Sequence, residues 1–299
     1  MFYPIQILRS FLRNIESLRD ILIAILYVNT RYDFNKYYNS SNNELIVLGN
    51  GPSLKSYLSK HLEQIIDCDI ICCNEFAQSE YFEILKPKYY VFIDPAYWRD
   101  TTNEKFNENL KYTFDSLKNK TNWPLVIFMK SAGRKKNHFK ELPFINDNIK
   151  IEYIYTNTVD SNMKVQHYLY KNNLAMPLLY NVLGVCIFLG INMGYKKINL
   201  LGADHSWHKD LLIKSDNVLY LKDSHFFDKE EVEEKPFYVN SYMKETFKMH
   251  EILLSLSLTF KGYHSIKAYS DFMKTNIYNL TIDSSIDAFE KPLTIAKNK

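Results

Sequence analysis

Five stretches of this 299-residue chain place glycines or polar side chains directly after an apolar run. The first is Gly49-Asn50-Gly51-Pro52-Ser53, which follows "ELIVL". It holds two of only 8 glycines in the chain. Glycines between a strand and a helix let backbone N–H groups approach a ligand, and a helix N-terminus favours an anion. Pro52 suits a first helical turn, and Ser53 can cap it. A nucleotide phosphate is the expected guest, and a plain strand–helix turn is the alternative. The stretch is neither a Walker A loop nor a full GxGxxG. The other four stretches are Asn74-Glu75, Asp94-Pro95, the "GADHSWH" segment from Gly202 to His208, and Ser270-Asp271. Asn74, Asp94, Gly202 and Ser206 are candidate ligand contacts. His205 has the side chain for general-base work near neutral pH. Asp204 is suited to fixing the loop or orienting an imidazole. Asp204, His205 and His208 form a weak metal signal, and no metal site is assigned. Asp67-Cys68-Asp69 has a DxD shape but precedes a strand, so it is set aside.

These residues meet only if their runs lie side by side. Ligands of open parallel sheets bind outside the carboxyl ends of the strands. Apolar runs of strand length start at Glu44, Asp69, Tyr89, Pro124, Lys150 and Lys197, with a last strand expected over His264–Ser270. Helices are expected over "SLKSYLSKHLEQII", over Met176–Gly194 and over Asn240–Gly262. Strands alternating with helices predict an α/β fold with a doubly wound, mainly parallel sheet. Residues 1–30 carry apolar positions at spacings of three and four and predict an N-terminal amphipathic helix. Docking on its own domain, lying in the plane of an anionic membrane surface and pairing in a dimer all remain open for it. Residues 31–43 are expected to be a linker, and residues 44–299 the catalytic domain. A lid is expected around residues 205–240.

Composition narrows the partners. The net charge of +3 gives no argument for nucleic acid. The four cysteines, Cys68, Cys72, Cys73 and Cys186, are expected to be reduced thiols. No signal peptide is evident, and the run Ile21–Val28 is too short to cross a bilayer. The expected location is cytoplasmic, with peripheral contact at the inner membrane face if the first helix meets lipid.

"LIVLGNGPSLK", "CCNEF", "GVCIFLGINMGYKKINLLGAD" and "DSHFF" together resemble the bacterial lipooligosaccharide sialyltransferases, in order and spacing, over roughly residues 44 to 290. The archaeal hydroxymethylpterin diphosphokinase-like proteins share the G-x-GPSL start. The sialyltransferase resemblance implies a Rossmann-like, GT-A-variant domain that uses a CMP-sugar and requires no metal or other cofactor. It also implies that Asn50 and Ser53 face the phosphate and ribose, that Asn74 contacts the nucleotide sugar, and that His225 is the general base. The chain departs from that pattern at Asp94, where the family has Asn, and at Ser206, where it has Tyr. The "MPLLYNVL" segment also lacks the family's Arg.

The expected function is therefore a glycosyltransferase of surface-polysaccharide synthesis, acting on a nucleotide-sugar and a glycan acceptor. A donor other than sialic acid stays open. The alternatives are a magnesium-dependent diphosphokinase and a nucleotide-binding module without catalysis, and a homo-oligomeric state stays open.

Overall fold

The computed structural model describes residues 34–37, 43–97, 104–134, 139–222, 226, 232–239 and 245–292. The helix expected over residues 1–30 lies outside them. Seven strands form one sheet: β1 (Glu44–Leu48), β2 (Asp69–Cys73), β3 (Tyr89–Phe92), β4 (Leu125–Lys130), β5 (Ile149–Ile154), β6 (Lys197–Leu201) and β10 (Asn276–Asn279). Their order is β10-β6-β1-β2-β3-β4-β5, and every pairing is parallel. This is the doubly wound α/β, Rossmann-like sheet that the strand–helix alternation predicts. The chain winds from β1 out to β5, then returns to place β6 on the other side of β1.

The strands read as continuous apolar runs because both faces are covered. Successive residues of a strand point to opposite faces. In β1, Leu45 and Val47 join one core cluster, while Ile46 and Leu48 join the other. In β2, Ile71 and Cys73 go to the first cluster, Ile70 and Cys72 to the second. The first face carries α5 (Met163–Lys171), α6 (Val182–Asn192) and α7 (Met249–Met273). The second carries α1 (Ser53–His61), α2 (Tyr81–Leu85), α3 (Glu104–Lys120) and α4 (Leu142–Ile145). All eleven residues of α6 are buried, so its sequence shows no polar stripe. All four cysteines are free thiols.

Two elements depart from expectation. His264–Ser270 is not a strand but the middle of α7, and the last strand is β10. The alternation in "HSIKAYS" imitates a strand. The burial of Leu256, Thr259, Tyr263, Ile266 and Ser270 follows the helical period instead. Gly262 is thus an interior residue and not a helix end. A Cβ on it would lie 3.1 Å from the Leu178 carbonyl oxygen, a tight contact. Ser270-Asp271 consequently leaves the candidate strand ends, and Leu280-Thr281 takes that place. The helix also begins at Met249, since Thr246 forms a bridge with Tyr238 before it.

Within the expected linker, Phe34–Tyr37 forms a 3-10 turn. Phe34 is buried against Phe128, and the Tyr37 hydroxyl donates to Glu152 at 2.5 Å. Within the expected lid, β7 (Leu211–Ile213), β8 (Leu219–Leu221) and β9 (Lys235–Pro236) form a small antiparallel sheet. Among the described residues, no helix is long and apolar enough to cross a membrane.

Candidate functional site

The loops after β1 and β6 are locked to one another. The Gly49 N–H donates to the Leu201 carbonyl at 2.8 Å, and the Gly51 N–H to the Gly202 carbonyl at 2.9 Å. A Cβ on Gly49 would meet the Gly202 oxygen at 2.4 Å, and one on Gly51 would meet Asp204 Oδ2 at 2.0 Å. Gly202 itself has φ +65°, which a side chain disfavours. These glycines therefore allow two backbones to touch. Asp204 completes the lock: its carboxylate accepts from the Ser53 N–H at 3.2 Å and from Ser53 Oγ at 2.8 Å. The Asp204 carboxylate thus sits at the N-terminus of α1, where an anion is favoured. Burial pushes the Asp204 pKa up, while the Ser53 bonds pull it partly back.

Beside this lock lies a cavity of about 440 Å³ over the ends of β1, β2 and β6. Asn50, Gly51, Pro52, Asn74, Gly202, Asp204, His205 and Ser206 all line it. Residues from three distant stretches of sequence are thus brought together. Gly49 lies beneath them in the loop packing, and Ser53 lines a different cavity, on the α1 side of Asp204. Asp94 is exposed and lines a third cavity, which Asn74 shares. His208 is exposed and outside the first cavity's lining.

Two amides at this edge are strained or unmet. Asn50 Nδ2 donates to the Cys73 carbonyl at 3.3 Å, but Asn50 Oδ1 is buried without a donor. Asn74 has φ +52°, and its Oδ1 is also buried without a donor. An unmet buried acceptor costs about 1–3 kcal/mol. Such exceptions are uncommon, and strained backbone clusters at functional sites.

His205, also left-handed with φ +52°, is buried. Its Nε2 lies 2.7 Å from the Tyr263 hydroxyl, which donates to Asn181 Oδ1 at 3.3 Å. An amide oxygen only accepts, so with the Tyr263 proton committed to Asn181, His205 donates from Nε2. Burial lowers the His205 pKa to about 3. The ring is neutral near pH 7 and too weakly basic for efficient proton abstraction. Trp207 packs on it with ring centroids 4.4 Å apart. His225, the base implied by the family resemblance, lies outside the described residues. Its neighbour Phe226 is buried, stacks on Phe76 and donates its N–H to the Asn50 carbonyl at 3.0 Å.

Sequence reasoning did not single out three contributors. Asn181 lines the cavity and caps α6 by accepting from the Leu183 N–H at 2.8 Å. Its signal is an Asn immediately before an apolar run. Asp210 and Lys222 enter through the small sheet, next to β7 and β8. Lys222 is the only Lys or Arg among the described lining residues of the first cavity. No local motif marks it, because the β7–β8 pairing brings it there. Among the described residues, no group of three or more His, Cys, Asp or Glu side chains is placed to hold a metal.

No family model matches the sequence, and no curated protein does. Among solved structures the chain is similar to the MAf glycosyltransferase from Magnetospirillum magneticum AMB-1. That likeness has 10% identity and a TM-score of 0.48, over 86% of this chain and 34% of the other. The chain thus spans about a third of that protein's length.

Proposed function

We propose that the chain is a glycosyltransferase whose donor is a nucleotide-linked sugar, CMP-linked in the first instance, and whose acceptor is a glycan. The observation that carries this reading is the position of the 440 Å³ cavity. It lies over β1, where strand order reverses between β2 and β6, the crevice where doubly wound sheets take nucleotides. Its chemistry suits a leaving phosphate. The N-terminus of α6 opens onto it through Asn181, Val182 and Leu183, and an eleven-residue buried helix carries its positive end there. Lys222 adds a cation, and Ser206 a hydroxyl. This is a different helix from the one expected to receive the anion.

In this reading the bond from the anomeric carbon to the phosphate breaks, and the electron pair leaves with the phosphate. The acceptor hydroxyl forms the new bond and gives its proton to a base. His205, neutral and committed to Tyr263, is unsuited to that task, and the family resemblance implies His225 for it. The family resemblance also implies that no metal is needed. A magnesium diphosphokinase would need clustered carboxylates, whereas Asp94 and Asp204 line separate cavities.

Thermal shift with CMP, CDP, UDP, GDP and ATP, each with and without EDTA, tests the reading. The expected result is stabilisation by CMP that EDTA leaves unchanged. Stabilisation by UDP or GDP instead would keep a transferase and discard the CMP donor. A magnesium-dependent response to ATP alone would replace the transferase with the diphosphokinase, and silence across the panel would favour a non-catalytic module.

A further inference from the structure

Next to the first cavity is a second chamber of about 430 Å³ over the ends of β3, β4 and β5. The two share Asn74, Asn181 and Val182, so they form one trough along the carboxyl edge of the sheet. Polar side chains line the second chamber from the strand ends: Asp94 after β3, Lys130 at the end of β4, and Thr156 and Thr158 after β5. The segment before α6 also lines it, including Leu178 and Tyr180, which are 52% and 50% exposed. That segment is held by the Met176 N–H on the Asn157 carbonyl at 2.9 Å and by close packing of Leu178 on Gly262 of α7.

A lining that combines hydroxyls and charges with apolar and aromatic side chains matches a pyranose ring, with hydroxyls at its rim and C–H groups on its face. Lys130 sharpens this. It is partly buried, it is the only Lys or Arg among the described lining residues, and it makes no ion pair within the described residues. A cation on a concave wall favours an anionic ligand.

We infer that the second chamber is the acceptor site and that it takes a sugar bearing an acidic group, held by Lys130 with its ring against Tyr180. This inference rests on the transferase reading, in which the nucleotide fills the first cavity and transfer occurs at the shared Asn74–Asn181 junction.

The test compares methyl β-D-glucuronide with methyl β-D-glucoside, which differ only at C6. Binding to the full chain is followed by ligand-observed NMR, with and without saturating CMP. The expected result is that the glucuronide binds, CMP does not displace it, and the glucoside binds about tenfold more weakly. Lys130→Met should remove that preference and leave CMP binding unchanged, which also shows that the variant is folded. Tyr180→Ala should weaken both sugars alike. Equal binding of the two sugars, displacement by CMP, or an unaltered preference in Lys130→Met would overturn the inference. CMP binding without any glucuronide binding would sink the acceptor site alone. Glucuronide binding that depends on Lys130 in a protein blind to CMP would sink the nucleotide reading and keep the acidic-sugar site.

Discussion

At the scale of single residues, the site is a set of side chains committed to one another before any ligand arrives. Asp204 spends its carboxylate on Ser53, and His205 donates to a tyrosine that is itself tied to Asn181. His205 has a consequence for stability. Its pKa is about 3 in the fold, against an ordinary 6.5. A depressed histidine contributes stability that is complete above 6.5 and is lost as pH falls towards 3. Between pH 7 and pH 5 the wild type should therefore lose about 2 kcal/mol more than His205→Gln does. Urea denaturation of both proteins at the two pH values measures the difference. Parallel losses would mean that His205 is accessible to protons in the native state.

At the scale of elements, packing decides what local pattern leaves ambiguous. Residues His264–Ser270 alternate like a strand, yet Tyr263, Ile266 and Tyr269 are buried by the turns of α7. Ser265 is exposed in the interior of that helix, with Oγ 3.3 Å from the Lys261 carbonyl. Ser265→Pro should cost about 3 kcal/mol or more, because proline removes a backbone bond and clashes with the preceding turn. A denaturation midpoint near that of wild type would contradict a helix at this position. The Gly49 and Gly51 loop is a second case. Its glycine spacing is visible in the sequence, but its purpose is not. That spacing suits close backbone approach, whether to a phosphate or to another loop. Only the position of Gly202 shows that the partner is a loop.

At the scale of the whole molecule, the parallel sheet holds most of the buried core, and the small sheet contributes little to it. β1 and β6 sit inside the sheet, with Leu45–Leu48 and Ile198, Leu200 and Leu201 almost wholly excluded from solvent. In the small sheet, Leu212 and Ile213 are each more than two-fifths exposed. Opening free energy follows burial and contact density. Amide hydrogen exchange should be slowest in β1 and β6 and markedly faster in β7. Protection of β8 that rises on adding CMP would further tie Lys222 to the ligand, since Lys222 directly follows that strand.

Composition and periodicity alone determined the class of this protein. Short apolar runs bounded by polar turns read as strands covered on both faces, and their alternation with helical segments implies crossovers and hence parallel pairing. The same logic placed the polar ends of the strands on one edge, because every strand of a parallel sheet ends at the same edge. Strand order was beyond its reach, since each strand carries the same kind of pattern and nothing local specifies a partner. Tertiary structure alone separated Asp94 from Asp204, seated Asp204 on α1, turned the N-terminus of α6 towards the cavity and delivered Lys222 from the small sheet. Each of these depends on contacts between residues far apart in the chain, and such contacts leave no period in a sequence to read.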